Sequence, residues 1–197
     1  MPEHTKQPVA AAAAPAGAGR EAPQRKTQGG KPQGRRRNQS RYGIQIKEKR
    51  ELKDMYGIRE AQLKTYYQKA LRSKSETAPE LIKLLERRLD NSVFRAGFAQ
   101  TRPQARQLVT HGYFMVNGRR VDIPSYLLKK NDVVTVKEGK RGKPFFSSFD
   151  KRMQNVRTPS WIVLKSGDFG FQVEAEVNPE EANPGVDMRA IIEFFTR

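Results

Sequence analysis

The chain has 197 residues, enough for one medium domain or two small ones with a real core. Lys and Arg number 38 against 21 Asp and Glu, and the net charge of +17 favours a polyanionic partner, nucleic acid before an anionic membrane surface. No cysteine is present, which excludes disulfides, thiol catalysis and cysteine zinc sites, and no apolar run approaches the length of a membrane span.

Residues 1–41 are low complexity, rich in Ala, Pro, Gly and Gln, with nine basic and two acidic groups. They offer almost nothing to bury and are expected to be a disordered basic tail. The apolar run Val9 to Ala14 is cut by Pro15, too short for a secretory segment, so a cytoplasmic protein is expected. The tail ends in Arg35, Arg36 and Arg37, an arm suited to phosphates.

From Tyr42 the composition turns helical. Ile46, Lys49, Arg50, Lys53 and Tyr56 belong to one charged segment stopped by Gly57. Arg59 to Lys74 form a second, with Leu63, Tyr66, Tyr67, Ala70 and Leu71 as its apolar stripe, where the tyrosines read as core. A third helix is expected from a capping box of Thr77 and Glu80 around Pro79, running through Leu81, Leu85, Leu89 and Val93 to Gly97. Its outer face would carry Lys83, Arg87, Arg88 and Arg95.

The stretch Thr101 to Val121 is the most telling. Thr101 and Gln104 are spaced as a capping box, with Pro103 in the first turn. Ala105, Leu108 and Val109 face a core, while Arg102 and Arg106, four apart, share an outer face. His111 stands at the helix end and Gly112 stops it. Phe114 to Val116 then extends into Asn117-Gly118, a strong hairpin signal, and Arg119 and Arg120 follow. A rigid helix and a hairpin tip, both presenting guanidinium groups, make an anvil for nucleic-acid phosphates.

Beyond it, Asn131-Asp132 is a turn, Val133 to Val136 a buried strand, and residues 138–144 a basic loop. Trp161 to Lys165 reads as a strand. Phe169, Phe171, Val173, Ala175 and Val177 alternate with polar residues as a half-buried strand. Residues 178–185 form an acidic loop, and Met188, Ile191, Ile192 and Phe195 share one face of a last helix.

Enzymatic chemistry has little to stand on. His4 and His111 have no ligand or triad partners at useful spacing, so no metal site, cofactor or small-molecule substrate is expected. Arg88-Leu89-Asp90 resembles the signature of pseudouridine synthases, but too few residues follow for their catalytic domain. Asp90 is expected to be a surface or helix-pairing carboxylate.

Residues 86–136 resemble the RNA-binding module named after the fourth protein of the small ribosomal subunit. Tyr42-Gly43-Ile44-Gln45, Met55-Tyr56-Gly57, Tyr66-Tyr67, Pro159, Trp161 and the terminal Ile191 to Arg197 are similar to the flanks of that module in the bacterial small-subunit protein-four family, a likeness covering about residues 34–197. The resemblance implies a primary binder of 16S ribosomal RNA that reads a multi-helix junction and nucleates the body of the 30S subunit. It further implies contact with protein five, an influence on translational accuracy with proteins five and twelve, and in some members repression of their own operon. The cysteine-bearing N-terminal start of many members is replaced here by residues 1–33, so zinc is not expected.

The expected fold is α+β. A helical lobe over 42–86 is completed by residues 151–197, with the RNA-binding module over 87–150 between them. The expected RNA contacts are Arg35, Arg36, Arg37, Arg87, Arg88, Arg95, Arg102, Arg106, His111, Asn117, Arg119 and Arg120. The alternative is a stand-alone RNA-binding or RNA-modifying protein built on the same module.

Overall fold

The computed structural model describes residues 40–146, 153 and 156–196. The expected tail, with Arg35, Arg36 and Arg37, lies outside the described residues apart from its last two positions.

Helix α1 (Arg41–Tyr56) starts where the Ser40 hydroxyl accepts from the Gly43 N–H. It stops at Gly57, whose φ of 60° is left-handed and whose N–H returns to the Asp54 carbonyl. Helix α2 (Glu60–Leu71) follows and buries Leu63, Tyr66, Tyr67 and Ala70, so both tyrosines are core as expected.

The single helix expected over 77–97 is two. Helix α3 (Thr77–Glu86) has Glu76 at its N-cap position with no side-chain cap, so the Thr77–Glu80 box does not form. Helix α4 (Leu89–Arg95) begins after an extended Arg88, with φ −64° and ψ 137°. The break has a tertiary cause. Leu89 N–H donates to the Tyr126 carbonyl at 2.8 Å, Leu128 N–H donates to the Arg87 carbonyl at 2.8 Å, and Arg88 bridges Leu127. A strand-like segment has captured backbone groups that a continuous helix would have kept for itself.

Helix α5 (Arg102–Thr110) is capped by the Thr101 hydroxyl, which accepts from Gln104 N–H at 3.3 Å. The Gln104 side chain reaches one residue further back than a capping box requires, to Gln100 N–H at 2.8 Å. Strand β1 (Phe114–Val116) turns through Asn117 (φ 49°) and Gly118 (φ 78°) into β2 (Arg119–Arg120). Two successive positive φ values are what a two-residue hairpin with the native strand twist demands.

Strands β3 (Val133–Val136), β4 (Ile162–Lys165) and β5 (Gly170–Val173) complete an antiparallel sheet in the order β2-β1-β3-β5-β4. Phe114 pairs with Val136, and Val134 with Phe171. The alternation expected over 169–177 is cut at both ends. Phe169 has a left-handed φ of 49°, and pairing ends after Val173, though Val177 is still buried. The 138–144 loop contains a short helix α6 (Glu138–Arg141), and the acidic loop contains one helical turn, Pro179–Ala182, capped by Asn178.

Two apolar clusters form the core. One lies under the sheet and α4–α5, around Phe98, Phe114, Val134, Trp161 and Phe171. The other joins α1, α2 and α3 to the closing helix Met188–Thr196 through Leu52, Leu63, Leu81, Leu85 and Ile191. The closing helix packs along α1, with Tyr67 stacked on Phe195 at 4.9 Å between ring centres. The chain is therefore α+β, and residues beyond 150 serve twice: two strands for the sheet and a helix for the helical lobe.

Candidate nucleic-acid interface

Where α1, α3, α4 and α5 meet, Glu86 is buried with four hydrogen bonds on its carboxylate. Tyr56 Oη donates at 2.7 Å, Asn91 Nδ2 at 2.7 Å, and Arg95 Nε and Nη2 at 3.0 and 2.9 Å. Burial, then the charge of Glu86 and its hydrogen bond, push the Tyr56 phenol well above its ordinary pKa. Glu86 lies on the apolar stripe between Ile82 and Leu89, and a carboxylate at such a position was the available signal for a buried cation partner.

Arg88 corrects the expected outer face. It is 1 % exposed, grips Asp90 through Nε at 3.0 Å and Nη2 at 2.6 Å, and donates Nη1 to Tyr66 Oη at 2.9 Å. Burial works against its charge, but the hydrogen bonds and charge of Asp90 outweigh it and its pKa is raised. Asp90 is likewise an interior carboxylate, not a surface one. Arg95 is only partly exposed and is held by Glu86 and the Ala182 carbonyl. Arg87 donates Nε to the Leu128 carbonyl at 2.8 Å and lines a cleft.

Arg102 and Arg106 do share one face of α5. Arg102 Nε donates to Asn91 Oδ1 at 2.8 Å, and its guanidinium carbon lies 5.0 Å from the Tyr56 ring centre and 4.6 Å from that of Phe94. Asn91 is in turn held by Glu86, so the guanidinium is oriented by a buried relay that leaves its terminal nitrogens without a hydrogen-bond partner among the described residues. Burial lowers its pKa from the ordinary arginine value. Arg106 is 40 % exposed, donates to the Gly57 carbonyl at 3.0 Å and stands 4.0 Å from Asp90.

At the other end of α5, His111 is exposed. Gly112 (φ 65°) follows, and Arg120 lies across it: a Cβ there would sit 2.7 Å from the guanidinium. Arg120 is also 3.4 Å from Asp122, while Arg119 is exposed with no side-chain partner among the described residues. Asn117 is exposed, and its side-chain amide is engaged within the protein. Its Nδ2 donates to Asp132 at 2.8 Å and its Oδ1 accepts from Val133 N–H at 2.9 Å, which staples the hairpin tip to the next turn. Near the helix end, Lys137 N–H donates to the Tyr113 carbonyl and Lys140 Nζ lies 4.8 Å from the Tyr113 ring centre, adding a cation that spacing alone does not attach to this end of α5.

The geometry is that of a binding module: a basic helix and hairpin on a packed body, with charges oriented by buried partners. Residues 87–134 match the family described as S4 domain, and residues 7–86 match the Ribosomal protein S4/S9 N-terminal domain. The second match reaches back to residue 7, further than the likeness read from residue 34. The chain is 42% identical over 165 residues to small ribosomal subunit protein uS4 of Herpetosiphon aurantiacus, covering 83% of this chain and 78% of that one. It is 44% identical over 170 residues to uS4 of Persephonella marina, covering 86% and 83%, and 41% identical over 162 residues to uS4A of Clostridium acetobutylicum, covering 82% and 78%. The chain belongs to the uS4 family of small ribosomal subunit proteins. It is a structural, non-enzymatic constituent of the ribosome.

Proposed function

We propose that this chain binds 16S ribosomal RNA directly, as a primary binder that nucleates the body of the 30S subunit in the cytoplasm. It would contact protein five and act with proteins five and twelve on translational accuracy. A-form helices hide their sequence in a deep groove, so a junction is recognised through phosphates, 2′-hydroxyls and unstacked bases. The observation that carries the reading is Arg102, whose Nε is fixed by a buried asparagine and whose plane is wedged between two rings. Its orientation is set before any ligand arrives, which lowers the entropy lost on binding. Arg106, His111, Arg119 and Arg120 extend the surface, with Arg87 and Arg95 at its border and Arg35, Arg36 and Arg37 as an added arm. Arg88 is left out, being interior. Asn117 acts by holding the tip.

The test is equilibrium binding of the full chain to 16S rRNA between 50 and 200 mM salt. With six to ten phosphates engaged, affinity is expected to fall by about 10³ to 10⁵ over that range. Arg119→Ala should lower the slope of log K against log salt by about 1 while leaving thermal stability unchanged. A flat salt response would refute direct phosphate recognition.

A further inference from the structure

A second basic feature lies away from the row on α5. Between α3, residues 128–130 and the end of β5 is a cleft of about 270 Å³ whose charged walls are Glu80, Lys83, Arg87, Lys129, Lys130 and Glu176. Its charges are largely unspent. Arg87 commits only Nε, to the Leu128 carbonyl, and this bond fixes the guanidinium at the wall. Lys129 and Lys130 are exposed, and neither they nor the Glu80 carboxylate have a side-chain partner among the described residues. Lys83 stands 3.9 Å from Glu176, itself 82% exposed, a loose contact that water competes for.

We propose that this cleft is a second RNA-binding site holding one ribose-phosphate unit, its phosphate on Arg87, Lys129 and Lys130 and its 2′-hydroxyl donating to Glu80. The inference rests on the RNA-binding reading above and extends it from Arg87, at the border of the α5 surface, to the lysines of the cleft. Two features select RNA over an acidic peptide. The carboxylates of Glu80 and Glu176 repel phosphates and acidic side chains alike, but a ribose also brings hydroxyl donors that a carboxylate accepts, which an ionised acidic side chain lacks. The cleft is also tied to the hairpin. Asp132 accepts from Lys129 N–H at 2.7 Å and from Asn117 Nδ2 at 2.8 Å, so the Lys129-Lys130 turn is held beside the tip that carries Arg119.

The experiment uses the full chain with three substitutions of exposed or half-exposed groups that leave the Arg87–Leu128 bond in place. Lys129→Ala/Lys130→Ala should lower the salt slope for 16S rRNA by about 1 to 2, additively with Arg119→Ala and with an unchanged melting temperature. Glu80→Ala should reduce the preference for a short oligouridine over its 2′-deoxy counterpart. An unchanged slope in the double lysine variant, with the Arg119→Ala effect intact, overturns the cleft site alone. If that variant then enters small subunits poorly, the cleft faces a neighbouring protein, and the RNA proposal is likewise overturned. Loss of every salt effect, including that of Arg119→Ala, would instead remove the RNA-binding reading on which it rests.

Discussion

Replacing Glu86 by Ala should be among the most damaging single changes in the helical junction. The carboxylate is fully buried and accepts four hydrogen bonds from three residues, all at 3.0 Å or less. Removing it strands Tyr56 Oη, Asn91 Nδ2 and the Arg95 guanidinium. Breaking a buried ion pair from one side costs about 3–5 kcal/mol, because the other charge is left without compensation. Arg95 is 26% exposed, so water recovers part of its loss and the lower end, about 3–4 kcal/mol, is expected. For a chain of this size that is a fall in melting temperature of roughly 6–16 °C. Equilibrium urea unfolding followed by far-UV circular dichroism measures it, with the midpoint shifting and the slope unchanged. A loss below about 1 kcal/mol would refute the view that this network is satisfied as a unit.

The Tyr56 phenol is raised above its ordinary pKa, so above pH of about 10 the unfolded chain releases a proton that the native chain keeps. Native stability should then fall as pH rises, by up to about 1.4 kcal/mol per unit, and Tyr56→Phe should show a shallower alkaline loss. Identical alkaline slopes for the two proteins would contradict it. Gly170→Ala should be destabilising by about 1–3 kcal/mol, because its Cβ would sit 2.5 Å from the Val134 carbonyl oxygen across the β3–β5 pairing. Chemical denaturation that shows no loss would mean that the two strands separate at little cost.

Local signals were legible in the sequence wherever the cause was local. Thr101, Pro103 and Gly112 bound α5 as their chemistry dictates, and Asn117-Gly118 makes the hairpin that its positive φ values favour. The break between α3 and α4 was not legible, because residues 126–128, some forty positions on, supply the hydrogen bonds that interrupt the helix. That interruption also rotates Arg88 inward, and so one expected surface cation became interior. Asn117 reads as a turn former from its sequence alone, but the partner of its amide, Asp132, belongs to another turn. Spacing identifies which residues share a face; it does not say what packs against that face.

The pairing of α1 with the closing helix has a consequence for synthesis. Gln45 donates to Glu193 at 3.0 Å across 148 positions, and Arg41 contacts the same carboxylate across 152. At roughly 5–20 residues per second, a translating ribosome takes about 7–30 s to make the chain between those partners. Throughout that interval Leu52 and its neighbours on α1 have no closing helix to cover them, while α2 and α3 can pair as soon as they emerge. The first helix of the described residues is thus among the last of them to be sealed. A nascent chain stalled before residue 188 presents an uncovered apolar stripe on a strongly cationic body, the combination that chaperones bind and that proteases reach first.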